Sequence, residues 1–176
     1  IIDVTILQNL TNLKQLLLGR NQITDISPIL NLVNLIQLEV GGNQLSDITS
    51  MMSLVNLVSL NLQENDISDI SFLRNLGNIE FLDLHQNRVS DIYTLREMDE
   101  LGQLVLGHNT ITDISPLESL SSLTYLSLED NKIFDIQALV NNDGLTGGGD
   151  TIILSGNPLD ANSVDILIPT LESRSV

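Results

Sequence analysis

Cysteine is absent from this sequence, and tryptophan with it. Without cysteine the chain cannot close its ends with disulfides, as many eukaryotic secreted repeat proteins do, so bacterial surface and cytosolic proteins are the classes left open. Basic residues are scarce: seven Lys and Arg stand against 23 Asp and Glu, a formal net charge of −16. Nucleic acid and anionic membrane surfaces both demand a basic face, so neither is an expected partner. A basic partner or a calcium counter-ion is easier to accommodate, and acidity by itself keeps an elongated chain soluble. Three Phe and two Tyr are too few for an aromatic core, and the 42% apolar content points to one of stacked Leu and Ile. No apolar run reaches the ~18 residues of a membrane helix, and no stretch of these residues is expected to act as a signal peptide. Phosphate loops, nucleophile elbows and metal-protease histidine pairs are also missing, so no catalytic residue and no cofactor is expected.

What the sequence does contain is one unit repeated. In LVSLNLQENDISDISFL, residues 57–73, Leu57, Leu60 and Leu62 precede Asn65, while Ile67, Ile70 and Leu73 follow it, with Asp69 between. The same frame recurs around Asn21, Asn43, Asn87, Asn109 and Asn131, each 22 residues from the next. Leu60 and Leu62 alternate with polar neighbours, which predicts a short strand with one face inward. The chain must turn at Glu64-Asn65, where a buried Asn offers two amide donors and a carbonyl acceptor to the backbone. Ser68-Asp69-Ile70-Ser71 then suits capping of a 3₁₀ or single-turn segment. About a dozen residues separate one strand from the next, room for a compact crossover but not for a long helix.

This pattern, LxxLxLxxNxIxDIxxL, resembles the leucine-rich repeat. The 22-residue length and DI step are similar to the internalin class and to the intracellular phosphatase-regulator class that shares the repeat. The resemblance implies an α/β fold: a right-handed solenoid with a parallel β-sheet on the concave face, 3₁₀ or irregular crossovers on the convex face, and a C-terminal helical cap. It implies little about function, because this scaffold recognises many partners.

Residues 1–159 are expected to form the solenoid and 160–176 the capping segment. Ile1-Ile2-Asp3-Val4 fills the slots of Ile23-Thr24-Asp25-Ile26, so residue 1 falls inside a repeat and the chain is expected to be a processed or truncated piece. The period breaks once: Asn157 follows Asn131 by 26 residues, with Asn141-Asn142-Asp143-Gly144 and Gly147-Gly148-Gly149 between. These extra residues predict a flexible loop on the crossover side, since Asp143 and Asp150 match no calcium loop. Beyond it Val164, Leu167, Ile168 and Leu171 share one side of a helical wheel that Pro169 should bend or split. Such a helix, laid across the last strand, would cap the array. The end of the chain resembles that of bacterial surface repeat proteins, with Ile153 where those carry a polar residue and Ser175 where they carry Gly.

Function is expected at the outward slots of the strands, which vary from repeat to repeat while the framework slots do not. Their N-terminal half is bland, and the aromatics and both histidines gather in the C-terminal half. The candidate ligand-binding residues are Phe81, Asp83, His85, Gln103, Val105, His108, Tyr125, Ser127 and Glu129. Phe81 and Tyr125 flank Gln103 about 10 Å apart if strand spacing holds, with the character of an interface anchor and rim. Phe72, Tyr93 and Phe134 depart from the repeat, and local packing or harmless exposure is the expectation for each, ahead of a convex-side contact. His85, His108 and Asp83 are N/O donors on neighbouring outward slots, yet ordinary polar surface accounts for them and no metal is assigned. The row Asp25, Asp47, Asp69, Asp91, Asp113 and Asp135 is read as caps, not as a metal ladder. The expectation is a non-catalytic module that binds a protein, or a glycan, and is part of a secreted or surface-attached bacterial protein. An intracellular phosphatase-regulator-like scaffold in the cytoplasm and a passive spacer remain alternatives.

Overall fold

Alternation of Leu with polar residues, repeated every 22 positions, builds seven strands: β1 (Gln15–Leu17), β2 (Gln37–Glu39), β3 (Ser59–Asn61), β4 (Phe81–Asp83), β5 (Gln103–Val105), β6 (Tyr125–Ser127) and β7 (Thr151–Ile153). The computed structural model describes residues 1–174; Ser175 and Val176, the end of the expected capping segment, lie outside the described residues. All seven strands are parallel in one sheet whose order follows the chain. The register is slot for slot, so Leu38, Leu60, Leu82, Leu104 and Leu126 stack directly on one another and are closed to solvent. Parallel strands need a crossover, and here it is minimal: 3₁₀ turns at Ser27–Ile29, Thr49–Ser53, Ser71–Asn75, Tyr93–Glu97 and Ser115–Ser119, and a five-residue helix α1 (Gln137–Asn141). This is the right-handed α/β leucine-rich repeat solenoid that the sequence pattern implies.

The anchor asparagines hold repeat to repeat. Asn65 donates its amide to the carbonyls of Leu62 and Gln63 at 3.0 Å and of Val40, one repeat back, at 3.2 Å. Its Oδ1 accepts the Leu45 N–H at 3.0 Å. Asn87, Asn109 and Asn131 repeat that set, each reaching 25 and 20 residues back. Buried backbone groups that the turn leaves without partners are thus satisfied by one side chain per repeat. The residue before each anchor is left-handed: Arg20, Glu64, Gln86, His108 and Asp130 have φ between 49° and 55°, and glycines take the slot at Gly42 and Gly156.

The aspartates cap the crossovers as expected. Asp25, Asp47, Asp69, Asp91, Asp113 and Asp135 each accept the N–H two residues on, at 2.7–3.1 Å. Bonds from Thr49 and Ser71 hold the carboxyls of Asp47 and Asp69 below the usual carboxylate range.

Phe72 is only 2% exposed, the local packing expected of it, because its slot, shared with the buried Pro116, belongs to the core, whereas Tyr93 and Phe134 are about 60% exposed. Three expectations need correction. Val164 does not join the apolar stripe of the terminal helix. A π-helical turn at Ser163–Leu167 precedes α2 (Ile168–Glu172), and its wider winding buries Ser163 while Val164 faces out beside the buried Leu167 and Leu171. Nor does this helix lie across the last strand; it packs on α1, where Ser163 Oγ donates to the Phe134 carbonyl and accepts the Ile136 N–H. The long repeat, expected as a flexible connection, is pinned at one point. Buried Asn142 donates to the carbonyls of Leu117 and Leu120 and accepts the N–H groups of Gly144 and Leu145.

Asn65→Ala and Asn87→Ala should each lower stability by ~1–3 kcal/mol, since both strand buried backbone groups; denaturant melts equal to the parent's would place the amides outside the framework. Removing residues 161–176 uncovers the apolar side of α1 and should drive association or loss of soluble protein, which light scattering would detect against a parent that stays monodisperse.

Candidate functional site

In-register stacking turns outward slots into rows. Phe81, Gln103 and Tyr125 form one row, and Asp83, Val105 and Ser127 the next. Phe81, Val105 and Tyr125 are half-buried and Gln103 is exposed. Asp83 and Ser127 are closed over, at 8% and 1% exposure, so these two expected contact residues lie beneath the surface. The cause is local. The Asp83 carboxylate curls back to accept the His85 N–H at 2.9 Å, as Asn61 accepts that of Gln63 one repeat earlier. Ser127 donates its hydroxyl to Glu129 Oε2. Burial pushes the Asp83 carboxyl above the ordinary carboxylate range, against the opposing pull of the His85 N–H.

A third row, His85, Gly107 and Glu129, lies just past the strands. Glu129 leans back across Gly107, where a Cβ would strike its carboxylate, and places Oε1 3.5 Å from His85 Nδ1. His108 sits on its left-handed turn with its ring edge-on to that of His85, centroids 4.9 Å apart at 84°. Asp130 Oδ2 is 3.3 Å from His108 Nε2. The structure therefore brings His85, His108 and Glu129 together, and leaves Asp83 out of that group, its oxygen engaged with the backbone. Sequence reasoning missed Gly107 and Asp130; the signal was a glycine between a histidine and a glutamate in one repeat slot.

The convex side offers shallow grooves, one of about 330 Å³ bounded by Asp69, Arg74, Asp91, Tyr93, Thr94 and Arg96. Its side chains are engaged with each other: the Arg96 guanidinium lies over the Tyr93 ring, 4.6 Å from its centroid, and Arg74 Nε donates to the Ser71 carbonyl. A similar groove recurs between the next crossovers, at Asp113, Ser115, Asp135 and Gln137, so these grooves are a by-product of stacking. Among the described residues no helix is long and apolar enough to cross a membrane.

Comparison with known proteins agrees with this architecture. The model of Leucine Rich repeats (2 copies) matches residues 5–51, 55–97 and 101–141. An internalin, inlF, of Listeria monocytogenes is 36% identical over 99% of the chain with a TM-score of 0.89, and the chain spans only 49% of that protein's structure. Internalin C2 of the same organism is 33% identical over 88% of the chain and 74% of its own, with a TM-score of 0.68. The ectodomain of an Arabidopsis thaliana membrane receptor kinase, solved in complex with Casparian strip integrity factor 2, shares the fold at 23% identity and a TM-score of 0.76, over 91% of the chain and 20% of the ectodomain. No curated protein matches the sequence.

Asp83→Asn keeps the acceptor for the His85 N–H and removes a charge that burial disfavours. A carboxyl whose folded pKa is raised weakens the folded state above that pKa and ceases to do so as the pH falls through it. The variant should therefore melt above the parent at neutral pH, with the difference closing on acidification; a variant that melts at or below the parent at neutral pH would contradict this.

Proposed function

Because the chain belongs to the leucine-rich repeat family, with internalin-like repeats, we propose that it is a non-catalytic recognition module of a secreted or surface-attached bacterial protein. Members of this fold commonly bind proteins, and a protein partner is favoured over a glycan. The partner docks on the C-terminal half of the concave sheet. The observation that carries the reading is the row Phe81, Gln103, Tyr125: two half-buried aromatics in register on either side of a polar slot. Aromatic anchors of this kind supply most of the energy of an interface, with polar residues such as Glu129 and His108 as rim. A sheet face of this form suits a protein more than a small molecule, which prefers a deep apolar cleft. The charge of −16 favours a partner with a basic surface and a fast, salt-sensitive encounter. The two internalins, each at least 33% identical, support the surface-protein assignment.

A panel of host surface proteins and a glycan array, tested with the intact chain, would identify the partner class. Phe81→Ala combined with Tyr125→Ala should weaken binding at least about tenfold with an unchanged melting temperature. Binding that survives this pair but is lost with Tyr93→Ala and Phe134→Ala would place the interface on the convex side. Binding to glycans alone would replace the protein reading.

A further inference from the structure

We propose that His85, His108 and Glu129 form a site for a divalent transition-metal ion of the zinc class. One donor atom from each of the three lies within 4.8 Å of the others. Tetrahedral zinc with bonds of ~2.0–2.1 Å needs its donors about 3.3 Å apart. The three side chains are partly exposed, with 28%, 49% and 19% of their surfaces accessible, so small torsional changes close the gap. Two imidazoles and one carboxylate are the donor set of a borderline metal, while calcium and magnesium take oxygen throughout.

Several features set this cluster apart from scattered polar surface. Parallel strands place His85 and Glu129 two repeats apart, roughly 10 Å along the sheet. They meet because the intervening slot holds Gly107, and the Glu129 carboxylate occupies the space a Cβ there would need. Buried Ser127 then fixes Glu129 by donating to Oε2, which leaves Oε1 turned toward His85. A ligand carboxylate oriented by a buried hydroxyl is how metal sites are supported from outside the coordination shell. Asp130, 3.3 Å from His108 Nε2, stands ready to orient that imidazole or to add a ligand of its own. Three ligands leave one tetrahedral position for water or for a side chain of whatever docks on the sheet. The inference rests on these residues alone and holds whether or not the concave face binds a protein.

The test is a calorimetric titration of chelator-treated, metal-free protein with zinc chloride in a non-coordinating buffer at neutral pH, followed in parallel by the histidine ring signals in NMR. One saturable equivalent should bind, shifting both histidine rings, and millimolar magnesium should not displace it. His85→Gln, His108→Asn and Glu129→Gln should each weaken binding at least about tenfold, and Gly107→Ala should do so by displacing the Glu129 carboxylate while all three ligand residues stay unchanged. Asn is chosen at position 108 because it tolerates the left-handed backbone there. Melting curves of the metal-free variants serve as the folding control; should Gly107→Ala melt low, the three partly exposed ligand positions still decide. No saturable binding, equal affinity in the ligand variants, or displacement by magnesium as expected of a diffuse counter-ion around a charge of −16 would each overturn the proposal.

Discussion

Everything in this fold hangs on a side-chain amide. Each anchor asparagine is bonded to its own strand end and to the repeat before it, so no repeat completes its turn alone. The strands contribute only three residues each, too few to stand by themselves. What they lack in length they gain by neighbours in identical register, and that register is what the amide enforces. The left-handed residue before each anchor belongs to the same device. Five of these seven positions carry a side chain in a conformation that costs on the order of 1–2 kcal/mol outside glycine, a strain the surrounding bonds must hold.

Framework slots and variable slots separate cleanly along the chain. Slots that face the core mostly repeat one chemistry, Leu or Ile, while slots on the outer sheet face vary along the array. Two pieces of chemistry coincide in the C-terminal half: the aromatic row at Phe81 and Tyr125, and the imidazole–carboxylate group at His85, His108 and Glu129. Both depend on neighbours in adjacent repeats, so neither exists within a single unit. A surface composed in this way is set by which repeats stand next to each other.

The sequence was legible wherever a residue's role repeats. Six aspartates in one slot read as caps, and each accepts the bond expected of it. Leu columns at a spacing of two placed every strand up to β6. Legibility failed where a side chain's path departs from its slot. Alternation assigned Asp83 and Ser127 to the surface, but both bend back to groups two residues on and are covered. The wheel that placed Val164 on the inner side assumed 3.6 residues per turn, and the π turn before Pro169 breaks that assumption. Glu129 reaching over Gly107 is a relation between repeats that no single-strand pattern expresses.

The order of the sheet has a mechanical consequence. Strands follow one another from β1 to β7 without a crossing, and the bonds between them run along the array. Tension applied to the two ends therefore loads these short ladders in series, and they give way singly instead of shearing together. Each 22-residue repeat released adds on the order of 75 Å of extended chain. Under a pull, such an array would lengthen stepwise while the repeats still in place keep their shape.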